Sequence, residues 1–284
     1  MKRIGLGASA LAISLIFSGC GNSTEQSIEE TVQVDSTLAK DTSKVDELAQ
    51  FKFQITIGNI PYPPGDMFAI VSKTNAAFDK ALVNPTENSA KYATTAKKSF
   101  NYGVYSVDLI YLAATGQLEG LKSYFNTTRE LSKQLDMVEN FDKITKKHSE
   151  KAIESKDSII TVVNEVFSAT DGYLRSNEML TAATEILVGS WVESQFVILN
   201  VLKNTTPSAS NAELFDKVFE QKLHTGNLVN LLEEYKKDKD LSEIGADFKK
   251  IQEEYAKIKT KEEVSKHISD ILSKLTLLRN KLIS

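Results

Sequence analysis

Cysteine is almost missing from this chain of 284 residues: there is one, Cys20, so no disulfide can form within the chain. Proline is scarce at five and glycine modest at 13, which leaves few strong breakers, and the strand-favouring runs are short. An all-α fold is therefore expected. No strongly basic stripe is present, with 34 lysines and arginines against 38 acids and a net charge of -4. That excludes a surface built to neutralise phosphates, so no nucleic-acid partner is expected. The three histidines, His148, His224 and His267, stand on separate helical stretches without a second ligand type at metal spacing, and no H-E-x-x-H or cysteine set occurs. Neither a metal nor a cofactor is expected. A P-loop, a dinucleotide fingerprint and a nucleophile elbow are also lacking, so no residue is assigned a catalytic role. Beyond the first twenty residues the longest apolar run, Ile186 to Leu202, is short and interrupted by Glu193, Gln195 and Asn200. It reads as a buried core helix and not as a membrane span.

What is present begins at the amino terminus. Lys2 and Arg3 precede an apolar run from Ile4 to Phe17, followed by the small residues Ser18 and Gly19. This order of charge, apolar run and small residues has the form of a secretory signal peptide, over residues 1–19. Phe17-Ser18-Gly19-Cys20 resembles the lipobox of bacterial lipoproteins, with Phe17 in place of the usual leucine. The resemblance implies cleavage before Cys20, a diacylglyceryl group on its thiol, and a further acyl chain such as palmitate on the new amino terminus. Multiple acyl chains anchor stably, because each buried methylene contributes about 0.8 kcal/mol. The expected partner is thus a membrane, reached through lipid at Cys20, and the expected place is the bacterial cell envelope. The outer membrane is favoured, on its periplasmic or its surface face.

Composition divides the rest. Residues 20–50 hold seven acids against Lys40 and Lys44, with few large apolar side chains, and read as an acidic flexible tether. Residues 51–64 alternate Phe51, Phe53, Ile55 and Ile57 before Pro61, Pro63 and Pro64, the pattern of an extended arm lying over the body. Residues 65–284 form a nearly neutral helical body with a possible sub-boundary near 204–210.

Within the body the spacing predicts helices near 65–83, 86–115, 117–134, 137–153, 156–175, 177–203, 210–236, 240–258 and 261–282. Asn84-Pro85-Thr86-Glu87 reads as a capped helix start, as do Ser210 with Glu213, Asp240 with Glu243 and Thr260 with Glu263. Leu241, Ile244, Phe248, Ile251, Tyr255 and Ile258 recur at steps of three and four, and so do Val264, Ile268, Ile271, Leu275, Leu278 and Leu282. Two such seams joined by a short link predict an antiparallel hairpin with coiled-coil-like packing. From Asn211 onward acids and bases balance at fourteen each, as on solvated helix faces. An irregular multi-helix bundle is expected, with an α-α solenoid of stacked pairs as the alternative.

Five stretches carry a resemblance: Leu82-Val83-Asn84-Pro85, Lys91-Tyr92, Asn101-Tyr102-Gly103-Val104-Tyr105, Asp108-Leu109 with Tyr111, and Gly189-Ser190-Trp191-Val192-Glu193. Over about residues 60 to 200 the chain resembles a group of all-helical lipoproteins of Bacteroidetes-type bacteria. The resemblance implies a helical fold and an envelope location and nothing catalytic. Ser190 and Ser194 stand where the group has glycine.

The candidate polar cluster follows from position. Asp108 lies within the apolar stretch Val107 to Ala114, with Tyr105 and Tyr111 three residues to either side on one helix face. A carboxylate buried there needs partners, because an isolated buried charge is very costly. Glu193, beside Trp191, poses the same question from the later helix. Were the two acids to meet, repulsion would raise one pKa. Tyr105, Asp108, Tyr111, Trp191 and Glu193 are thus either a satisfied core cluster or the lining of a ligand pocket. Gly103 and Gly189 read as points of close helix packing. The expected role is a non-enzymatic binding or structural protein whose partner is an envelope protein or a glycan. The alternative is a small-ligand receptor or hydrolase-type enzyme with a pocket near Asp108 and Glu193.

Overall fold

The computed structural model describes residues 65–74, 76–148, 156–177 and 179–284. The expected signal peptide, tether and arm, with Cys20, lie outside the described residues. Among those described there are nine α-helices and no strand: α1 (Gly65–Lys73), α2 (Thr95–Ala114), α3 (Leu118–Gln134), α4 (Val138–Lys147), α5 (Lys156–Ser176), α6 (Leu180–Leu202), α7 (Ala212–Glu234), α8 (Lys239–Lys257) and α9 (Val264–Ile283). The architecture is an all-α multi-helix bundle.

Apolar patterning decides which helices lie inside. α6 is apolar almost all round, and a helix of that kind must be covered on every side. It is long and apolar enough to cross a membrane, yet 89% of its apolar window is buried within the protein. It is a core helix. Its main partner is α2, which is buried from Ser99 to Ala114. The two meet at glycines: a Cβ on Gly103 would overlap the Ile186 carbonyl oxygen, and one on Gly189 would overlap the Phe100 carbonyl oxygen. Around this pair pack α1, α3, α5 and α9, while α4 lies on α5 and α7 on α8. Contacts of α9 with both α2 and α6 join elements far apart in sequence. A solenoid, whose units touch only their neighbours, lacks such contacts.

The carboxy-terminal hairpin forms as its two seams require, and all twelve seam residues are buried. Ion pairs read its direction. Asp247 pairs with Lys281, and Glu254, seven residues on, pairs with Lys274, seven residues back, at 2.6 Å. Partners that advance on α8 and retreat on α9 define antiparallel strands of helix.

Helix ends follow local chemistry. α2 ends in a Schellman turn, with the Gln117 N–H on the Leu112 carbonyl at 2.8 Å, and Gly116 supplies the positive φ of 75°. α3 ends the same way, with the Met137 N–H on the Ser132 carbonyl at 2.8 Å, but Asp136 holds the positive φ of 57°.

The structure corrects several expected helix starts. The helix expected over 65–83 stops at Lys73, and residues 76–79 have no regular secondary structure before a 3-10 turn at Lys80–Leu82, capped by Asp79. The helix expected over 86–115 is two pieces, a 3-10 segment Thr86–Lys91 and then α2, whose cap is Thr94. α8 is capped by Asp238, whose side chain accepts from the Leu241 N–H at 2.9 Å, and not by Asp240. The hydroxyl of Ser210 pairs with that of Ser208 and caps nothing. Thr260 makes no side-chain cap, although Glu263 does reach back, to the Lys259 N–H at 2.9 Å.

Candidate functional site

Residues 79–85 form a connector that runs antiparallel to α2, and one face of α2 holds it. The Tyr105 hydroxyl donates to the Pro85 carbonyl at 2.9 Å. Asp108 Oδ2 accepts the Asn84 N–H at 3.0 Å, and the Tyr111 hydroxyl accepts the Asp79 N–H at 3.1 Å. Three side chains at steps of three thus serve an irregular backbone that has no ladder of its own. A buried backbone group must find a partner, and here α2 supplies it.

Asn84, read from the sequence as a helix cap, is instead fully buried at the centre of this arrangement. Its side-chain amide donates to the Tyr92 hydroxyl at 2.8 Å and to Asn101 Oδ1 at 3.3 Å, and its oxygen accepts from Asn88 at 2.7 Å. Asn101 in turn donates to the Leu282 carbonyl at 2.8 Å, tying the end of α9 to α2.

Asp108 and Glu193 do meet. Both are 0% exposed. Glu193 is held by Arg279 of α9 in a bidentate pair, Nε to Oε2 at 2.6 Å and Nη2 to Oε1 at 2.7 Å. The same guanidinium donates to the Leu82 carbonyl at 3.2 Å and lies over the Phe196 ring, 4.3 Å from its centre. Burial pulls the Arg279 guanidinium down, but the Glu193 carboxylate more than offsets this and leaves it raised. Asp108 Oδ1 has no donor facing it among the described residues. Burial, and after it the Glu193 carboxylate, push the Asp108 carboxyl well above its ordinary range. A proton retained on Asp108 would resolve both problems: it would give Oδ1 a hydrogen to donate and would leave the buried trio of two acids and one arginine electrically neutral. A half-neutralised trio would place a net charge in the core, which is far costlier.

The other sequence candidates divide. Tyr105 joins the cluster, and burial pushes its phenol strongly up. Tyr111 stands at the far end of the connector, its ring between Phe68 and Phe78. Trp191 belongs elsewhere: its indole donates to Gln221 at 2.9 Å and its ring packs on Phe248, 5.2 Å between centres. Gln221 and Gln195 both direct amide groups at the Met67 sulfur, and the Tyr255 hydroxyl donates to Gln195 at 3.0 Å, so α1 docks on a second buried polar strip. Among the described residues no group of three histidines, cysteines or acids could hold a metal ion.

Sequence reasoning missed Arg279, Asn84, Tyr92 and Asn101. Chemically, the cluster is a pair of buried acids closed by an arginine, without exposed surface on either acid. No family model, curated protein or solved structure matches this chain.

Proposed function

We propose that this protein is a membrane-anchored lipoprotein of the bacterial cell envelope, with a helical body that binds or organises a partner and does not catalyse a reaction. The observation that carries the anchor is Cys20, the one cysteine of the chain, placed directly after a charged, apolar and small-residue leader. The acidic stretch after it would stand the body off the lipid surface. A binding role is supported by the burial of the polar cluster: Asp108 and Glu193 have no exposed surface, so neither acid reaches a substrate there. The test is incorporation of an alkyne-tagged fatty-acid analogue in cells. Wild-type protein takes up label and fractionates with membranes, while Cys20→Ala does neither; label retained by Cys20→Ala would overturn the anchor.

A small-ligand receptor is a second reading, favoured by one observation. Tyr111 and Leu82, at the edge of the polar cluster, line a cleft of about 600 Å³, within the usual size range of ligand sites.

A further inference from the structure

Where α2 stops gripping the connector, the surface opens into that cleft, between the residues that follow α1 and the link from α6 to α7. Its walls are rich in groups that both donate and accept. Asn200, Asn204 and Asn211 contribute amides, and Thr205 and Ser210 contribute hydroxyls. Charge is balanced, with one carboxylate, Asp79, and one ammonium, Lys203. The ammonium is already turned to Asn200 Oδ1 at 2.9 Å.

Tyr111 forms the inner wall. It is fully buried, its oxygen accepts the Asp79 N–H, and its own hydrogen has no acceptor among the described residues. Burial holds the phenol in its protonated, donating form. A donor kept at the inner end of a polar cleft with nothing to receive it is an opening for a ligand oxygen.

Resting on the receptor reading above, we infer that this cleft binds a neutral, hydroxyl-rich ligand, an oligosaccharide, with Tyr111 donating from the inner wall and the exposed Asn204 amide meeting ring hydroxyls. Sugar hydroxyls are donors and acceptors at once, and so are the amides and hydroxyls that face them. An anion would meet Asp79, a cation would meet Lys203, and an apolar ligand would leave the Tyr111 hydrogen without an acceptor.

The experiment is saturation-transfer NMR on the processed full-length protein in detergent, with maltotriose, cellotriose and chitotriose as probes, and citrate and spermidine as ionic comparators. Transfer to at least one trisaccharide and to neither ion is expected. Tyr111→Phe should weaken that binding about tenfold, the loss of one buried hydrogen bond. Because that change also strands the Asp79 N–H, exposed Asn204→Ala serves as a second variant that spares the fold, with about threefold weakening expected. No transfer to any trisaccharide overturns the inference, as does undiminished binding in both variants or preference for an ion. Each of these outcomes leaves the lipid on Cys20 unaffected, so the anchor and the ligand stand or fall separately.

Discussion

Arg279 closes both of its forward nitrogens on the two oxygens of Glu193, 86 residues earlier, at 2.6 and 2.7 Å. With Asp108 alongside, this pair ties α2, α6, α9 and the connector to one relative position.

The neutral-trio account separates substitutions that look alike. Asp108→Asn keeps shape and neutrality and should change stability by less than about 1 kcal/mol, because the amide can still donate to Glu193. Arg279→Leu leaves Glu193 buried without its cation and should cost about 3–5 kcal/mol. Asp108→Ala falls between them. Urea titrations of the three variants check the order, and an Asp108→Asn loss as large as that of Arg279→Leu contradicts a protonated Asp108.

Glu185 gives a pH signature. It is buried on α6, and burial, with added repulsion from Asp238 and Asp240, pushes its carboxyl up to about 7 against the hydroxyl of Ser99. Since the folded protein holds this proton more tightly than the unfolded chain, its contribution to stability falls as pH rises from the ordinary carboxylate range and levels off beyond pH 7. Glu185→Gln removes that dependence. The stability difference between variant and wild type should be small in acid, grow in favour of glutamine toward neutrality, and then stay constant. A difference independent of pH would show that folding does not shift the Glu185 carboxyl.

The close approach of α2 and α6 makes two glycines behave in opposite ways. Gly189→Ala drives a methyl into the Phe100 backbone and should cost about 3 kcal/mol or more. Gly172 on α5 has open space where its Cβ would stand, so Gly172→Ala should stabilise by about 0.5–1 kcal/mol through helix propensity. Thermal melts of the pair decide this, and equal effects would contradict the packing.

Asp136 carries a backbone conformation suited to glycine, with φ of 57° at the end of α3. Asp136→Gly should therefore stabilise by up to about 1 kcal/mol. A lower melting midpoint would show that the aspartate side chain has a use of its own.

Much of the fold was legible because its signals are local. The two seams of the hairpin, the largely apolar α6 and the paired glycines each state their packing in a few residues. Tyr105, Asp108 and Tyr111 were legible as a face for the same reason. Trp191 and Glu193 were grouped by nearness in sequence, yet residues two apart on a helix point to different sides, and the structure separates them. Arg279 was hidden by the even balance of charges from Asn211 onward, where one buried arginine counts the same as any solvated one. Asn84 misled because asparagine before proline, threonine and glutamate is also how a helix starts. Only the donors and acceptors brought by α2 and α9 decide between the two uses.

The proposed role depends most on lipid at Cys20, and the mass of the amino-terminal peptide of protein purified from native envelopes tests it directly. The account requires a first residue Cys20 carrying a diacylglyceryl thioether and an acylated amino group. An unmodified Cys20, or a peptide that still contains the residues before it, contradicts the account.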